Sequence, residues 1–226
     1  MSKKKLARFA EYETFKNFFQ PTYQQLAEGF RLKGKWNKAF FKNSNPLVLE
    51  LGCGKGEFTV GLARRYPDKN FIGMDIKGAR MWRGAKTSQE EKLENVAFIR
   101  TKIQLAEHFY DPIEIDEIWI TFPDPQPRKH KAKKRLTSPE FLERYRRICN
   151  KKCIVHLKTD NTPLFDFSLE VIKEQNLPLF FHSFDVDKNP GSDDVVSIRT
   201  HYEMLFREQG EKIKYCRFGL FGGVRT

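Results

Sequence analysis

No apolar run in these 226 residues approaches the roughly 18–20 consecutive residues that cross a bilayer. The opening stretch "MSKKKLARFAEYETF" carries charge but lacks the apolar centre of a secretory signal. No membrane association is expected, and the cytoplasm is the expected compartment. Cysteine is scarce, with Cys53, Cys149, Cys153 and Cys216 only. Cys149 and Cys153 form a C-x3-C pair without a second pair, which is neither zinc-site nor disulfide-framework spacing. Free thiols in a reducing compartment, and no metal, are expected. Acidic residues are also short: 29 Asp and Glu stand against 41 Lys and Arg, a net charge of +12. Such a surplus favours a polyanionic partner, because cations that neutralise phosphates release bound counterions. The surplus is concentrated in "KKKLAR" at 3–8, "RKHKAKKR" at 128–135 and "RYRR" at 144–147.

What is plentiful is core material. Twenty-one Phe and 39% hydrophobic residues can build one medium domain. Residues 1–45 are polar, basic and aromatic, with amphipathic pieces broken at Pro21, and read as a basic helical extension. From 46 to 226 the texture is that of a single catalytic-size domain. "PLVLELG", "KNFIGMDI", "NVAFIRT", "IDEIWITFPD", "CIVHLKTDN" and "LFFHSFDV" read as six strands. Helical patterns separate most of them, including "SPEFLERYRRICN" with Ser138 as N-cap and Pro139 at its first position. Thr162 and Pro163 are read as opening another. The stretch "YEMLFREQGEKIKYCRFGL" carries the last strand, or a hairpin turning at Gly210. Alternating strands and helices predict an α/β fold: a Rossmann-like, seven-stranded, mostly parallel sheet with helices on both faces and a last antiparallel strand.

Ligands of such sheets bind beyond the carboxyl ends of the strands. After the first strand comes "LELGCGKGEF", with Glu50, Gly52, Gly54 and Gly56. Alternate glycines let the backbone turn sharply and approach a ligand. The dinucleotide pattern would need glycine at 57, where Glu57 stands, and the P-loop ending G-K-[ST] is missing. Glu50 would repel a pyrophosphate and can hold an amino group. After the second strand comes Asp75, 23 residues beyond Gly52, where a carboxylate can accept from a ribose diol. A ribose, an amino group and no phosphate describe S-adenosylmethionine (AdoMet). A ligand-free turn and a helix cap are the plain alternatives for the loop and for Asp75.

After the fourth strand, "ITFPDPQPRKHKAKKR" places Asp124 among Pro123, Pro125 and Pro127, just before a segment with six Lys or Arg in eight residues. These motifs, with "NVAFIR", "KTDN" and "THYE", resemble the class I AdoMet-dependent methyltransferases. More narrowly, they resemble the bacterial tRNA (guanine-N7)-methyltransferase family, from about Leu47 to the C-terminal strand. The resemblance implies methyl transfer from AdoMet to N7 of a guanine in the variable loop of tRNA. It implies Asp124 as the catalytic residue, close to AdoMet, and Lys102 at a cofactor-contacting position where the family often has an acid. It further implies Arg128, Asp160 and the segment Thr200, His201, Tyr202, Glu203 as substrate-binding, with Glu203 accepting from the guanine edge. Gln126 stands where the family usually has tryptophan. Two readings from other classes remain beside it: a nucleic-acid binder on a degenerate methyltransferase fold, and a methyltransferase of exocyclic amines, whose usual [DNS]-P-P-[YFW] turn is absent. Nothing in the sequence selects between monomer and homodimer.

Overall fold

The computed structural model describes residues 3–222, and the chain divides into two units, 1–111 and 112–226.

In the first unit the strands β1 (Phe18–Phe19), β2 (Leu47–Leu51), β3 (Asn70–Asp75) and β4 (Val96–Arg100) lie in the order β1-β4-β3-β2, all parallel. Strands β2, β3 and β4 are almost wholly apolar and buried, as central parallel strands are when both faces are covered. Helices α3 (Glu57–Arg65) and α4 (Gly78–Glu90) follow β2 and β3, and a 3-10 segment Ile103–His108 follows β4. The register sets Leu51 against Met74 and Asp75 against Arg100, so the loops after β2 and β3 leave the sheet at one end.

Residues 3–45 build into this unit. Helix α1 (Lys3–Tyr12) packs on α4, and Phe18–Phe19 adds a short edge strand beside β4. Helix α2 (Tyr23–Ala27) starts just after Pro21, with Thr22 and Gln25 forming a reciprocal capping box. Trp36, in the π-helical segment Trp36–Phe41, is fully buried among Phe19, Phe30 and Phe40 and donates to the Phe109 carbonyl at 3.0 Å. Tyr12 stacks on Phe18 at 4.2 Å between ring centroids.

The second unit holds β5 (Ile115–Thr121), β6 (Cys149–Thr159), β7 (Leu179–Ser183) and β8 (Lys214–Gly219), in the order β5-β6-β8-β7. β5 and β6 are parallel, and β8 runs antiparallel to both its neighbours. The last strand is thus the antiparallel one, as expected, and Phe18–Phe19 brings the strands among the described residues to eight, one more than the seven expected. The helices are α5 (Pro139–Arg146), α6 (Thr162–Glu174), α7 (Asp193–Ser197) and α8 (His201–Glu208). Ser138 caps α5 and Pro139 follows, as read from the sequence. The cap of α6 is Asn161, one residue before the expected opening, because its side chain accepts from Leu164 N. The hairpin reading of "YEMLFREQG" is corrected. Thr200 accepts from Glu203 N and starts a helix, Gly210 takes φ +80° just beyond its end, and only Lys214–Gly219 is strand.

Candidate cofactor and acceptor sites

In the first unit the loop after β2 is held by main-chain bonds. The N–H groups of Gly52 and Cys53 both donate to Met74 O, and Gly56 N donates to Cys53 O. Gly52, Gly54 and Gly56 all adopt positive φ, a left-handed path that side chains resist. Gly54 matters most: its N–H donates to Asp75 Oδ2 at 3.0 Å, which ties the loop to the carboxylate after β3. Asp75 Oδ1 accepts from Lys77 N at 2.8 Å. Each carboxylate oxygen keeps a second lone pair, which suits a diol. A Cβ on Gly54 would come no nearer to a neighbouring heavy atom than 4.0 Å, so the space beside it is open. This is a cradle that fits a ribose.

Glu50 is buried at 3% exposure, and its Oε2 accepts from the Thr59 hydroxyl. A buried carboxylate at the start of the loop suits a ligand with an ammonium group. Cys53 is buried beside these acids. Burial pushes its thiol well above the usual range, and Glu50 and Asp75 push it further. It acts as a small apolar residue and not as a nucleophile. Lys102 is exposed and heads the 3-10 segment, with its carbonyl accepting from Leu105 N.

In the second unit β5 ends at Thr121, three residues before Asp124. Phe122 then takes φ +48° and Gln126 φ +46°, so two non-glycine residues in left-handed conformation flank the exposed aspartate. Such backbone costs of order 1–3 kcal/mol each and persists only where surroundings impose it. Those surroundings are visible. Phe122 N donates to Lys158 O at 2.8 Å, Asp124 Oδ1 accepts from Gln126 N at 3.0 Å, and Arg135 Nη2 donates to Gln126 O at 3.3 Å. The Arg135 guanidinium also lies 4.3 Å from the Phe167 ring centroid. Arg135, the last residue of the basic run at 128–135, therefore also supports the Pro-rich turn.

The basic run is a short 3-10 helix, Lys129–Lys134, whose end is fixed by Ser138 Oγ donating to Lys133 O and by Tyr145 OH donating to Leu136 O. Arg128 caps it and is exposed, as are Lys129, Lys133 and Lys134.

Asp160 follows β6 at the same sheet end as the Asp124 turn, since Thr121 is in register with Lys158. Its carboxyl is half-buried, and desolvation raises its pKa. Thr200 is buried as the cap of α8, and His201 and Tyr202 are half-buried at its start. Glu203 has no exposed surface. Its Oε2 lies 2.7 Å from Lys158 Nζ, itself fully buried, and Arg207 Nε donates to its Oε1 at 3.0 Å. Both carboxylate oxygens are thus engaged inside the protein. Desolvation lowers the Lys158 pKa, and Glu203 opposes that shift. Lys158 Nζ also reaches Ile198 O at 3.3 Å and lies 5.8 Å from the Phe122 ring centroid. Sequence reading missed Lys158; its signal was a lysine inside the apolar run "CIVHLKT".

The chain matches the family model described as "Putative methyltransferase" over residues 44–216. It is 51% identical to the tRNA (guanine-N(7)-)-methyltransferase of Christiangramia forsetii, over 96% of this chain and 98% of that protein. It is 48% identical to the protein of the same name from Bacteroides fragilis, over 96% and 86%, and 45% identical to that from Cytophaga hutchinsonii, over 96% and 98%. Among solved structures, the 16S rRNA methyltransferase KamB superposes with a TM-score of 0.62 at 14% identity, over 80% of this chain and 91% of KamB. A 16S rRNA (adenine(1408)-N(1))-methyltransferase crystallised with cosubstrate SAM gives 0.54 at 13%, over 85% and 92%. At that identity the structural likeness shows the fold alone, a class I methyltransferase fold.

Proposed function

From membership of the tRNA (guanine-N(7)-)-methyltransferase family, to which this chain belongs, we propose that it transfers the methyl group of AdoMet to N7 of a guanine in the variable loop of tRNA, giving 7-methylguanosine. The observation that carries the reading is the 45–51% identity, over nearly the whole chain, with proteins of that name. The Gly54–Asp75 cradle supports it on the cofactor side, and the exposed Asp124 followed by a basic helix supports it on the acceptor side. When bound, AdoMet supplies an electrophilic methyl on a sulfonium.

The chain's own residues then have definite tasks. Asp75 accepts from the ribose hydroxyls, with its oxygens aimed by Gly54 N and Lys77 N. Glu50 and the main chain of Gly52, Gly54 and Gly56 hold the amino-acid part, and the main chain around Lys102 meets the adenine. Guanine N7 has an in-plane lone pair, so no proton need leave before it attacks, and no general base is required. The purine gains positive charge as it is methylated. Asp124 is the carboxylate that stabilises it, held in place by a turn that costs no reorganisation during the reaction. Arg128 and the exposed lysines of 129–134 bind backbone phosphates, which adds affinity without sequence information. Asp160 and the segment Thr200–Tyr202 contact the substrate nucleotide. Glu203 serves that segment from below by anchoring it to Lys158. The reaction belongs in the cytoplasm, where tRNA is modified; among the described residues no helix is long and apolar enough to cross a membrane.

Incubation with methyl-labelled AdoMet and tRNA lacking modification tests the reading. Label should enter tRNA, and tRNA whose variable-loop guanine is replaced by adenine should stay unlabelled. Labelling of that variant would redirect the assignment.

A further inference from the structure

The first unit carries a second basic site that methyl transfer itself does not use. Helix α1 lies on α4, and a cleft of about 360 Å³ opens beside their contact. Arg8 from α1, Lys55 from the glycine loop, and Arg80 and Arg83 from α4 line it together with Trp82. Glu57 is the single carboxylate among the described lining residues. Arg8, Arg80 and Arg83 are exposed. With four cations and one carboxylate in its lining, the cleft carries a net positive charge that attracts an anion.

The cleft is also organised. The Arg8 guanidinium carbon lies 4.7 Å from the centroid of the Trp82 ring. The ring is fixed in turn, because Trp82 Nε1 donates to Glu11 Oε2 at 2.7 Å while Glu11 Oε1 takes Lys86 Nζ at 2.7 Å. A guanidinium stacked on an aromatic face is weakly hydrated and pre-oriented, the form of cation that suits phosphate. AdoMet carries one carboxylate and no phosphate, which does not account for four cations. The place of the cleft narrows the choice. Lys55 is part of the Gly52–Gly56 loop, and Arg80 lies five residues beyond Asp75, so the cleft borders the cofactor cradle. A polynucleotide that delivers a base to the methyl group must lay its backbone near that cradle.

We propose that the Arg8–Lys55–Arg80–Arg83 cleft is a second contact for the sugar–phosphate backbone of the tRNA substrate, independent of the 128–135 run. The inference rests on the reading of the chain as a tRNA methyltransferase, and it makes α1 part of the substrate surface. Its test is a salt titration of tRNA binding for the wild type, for the double variant Arg8→Gln/Arg83→Gln, and for Arg8→Lys/Arg83→Lys. The glutamine variant should bind tRNA about tenfold more weakly near 0.1 M salt. Its plot of log K against log salt should be shallower by about 0.7–0.9 for each phosphate no longer neutralised. The lysine variant should recover the slope. AdoMet binding by calorimetry reports whether the fold is intact; if the double variant loses it, Arg83→Gln alone on the exposed side of α4 carries the same test. A wild-type slope and affinity in the glutamine variant overturns the proposal. So does loss of binding to phosphatidylglycerol vesicles with the tRNA slope intact, which would assign the cleft to a lipid surface. Failure of the wild type to methylate tRNA at all would instead strike the parent reading.

Discussion

Lys158 Nζ and Glu203 Oε2 meet at 2.7 Å with neither side chain exposed, joining β6 to the start of α8 across 45 residues of sequence. Removing Lys158 takes one of the two cations from the buried Glu203 and leaves Arg207 to compensate it in part. Lys158→Met should therefore cost about 3 kcal/mol of stability, the low end of what breaking a buried pair costs. Adding Glu203→Leu should return most of that, since a buried pair replaced by apolar groups is often close to neutral. If the pair also positions the acceptor segment, the double variant will fold yet turn over slowly, because Phe122 and Ile198 lose the same ammonium. Urea denaturation beside kcat for the three proteins checks this. A double variant as active as the wild type would reduce the pair to a stability element.

Asp75→Ala should weaken AdoMet binding by about 1–3 kcal/mol, because ribose hydroxyls lose a charged acceptor and Gly54 N–H loses its partner. Calorimetry of the variant measures it, and an unchanged affinity would remove Asp75 from the cofactor site.

Glu11 attaches α1 to α4 through Lys86 and the Trp82 indole. The hydrogen bonds from Lys86 and then Trp82 lower its pKa below the ordinary 4.5. The sign follows from that depression: the contribution is fully present above 4.5 and is lost as the pH falls through the lower, folded value. Helix α1 should loosen on acidification while β2–β4 stay protected, and Glu11→Gln should reproduce the loosening at neutral pH. Amide exchange of residues 6–12 resolves it; equal protection at neutral pH and in acid would contradict it.

The basic helix and the residue that ends it should separate kinetically. Replacing Lys131, Lys133 and Lys134 with Ala should raise KM for tRNA and flatten its salt dependence by about 0.7–0.9 per phosphate left without its cation. Arg135→Ala should instead lower kcat with the salt slope nearly intact, because Arg135 holds the Gln126 carbonyl and stacks on Phe167. Matching behaviour of the two variants would place Arg135 with the phosphate-binding lysines.

How far the sequence could be read depends on how local each determinant is. The glycine loop and Asp75 were legible because a left-handed backbone and a strand-end carboxylate leave their mark within a few residues. The same holds for the Ser138–Pro139 start of α5. Helix α8 was not legible as a helix: its local marks are the Thr200 cap and Gly210 past its end, which also suits a hairpin turn, and its buried Glu203 is held by Lys158 far back in the chain. The inward turn of Glu203 depends on that same distant partner. Residues 1–45 read as an extension because their anchors, such as Trp36 to Phe109 O, are 73 residues apart. Strand β5 stops at Thr121 and not at Asp124 because Phe122 adopts positive φ, which no sequence pattern requires of phenylalanine.

Methylation of guanine N7 under the charge of Asp124 is tested most directly by nucleoside analysis of unmodified tRNA after single-turnover reaction with AdoMet. The wild type is compared with Asp124→Asn, which keeps shape and removes charge. The expected product is 7-methylguanosine, with a loss of about 100-fold or more in rate for the variant and tRNA binding largely retained. Formation of 1-methylguanosine or N6-methyladenosine, or a variant as fast as the wild type, would contradict it.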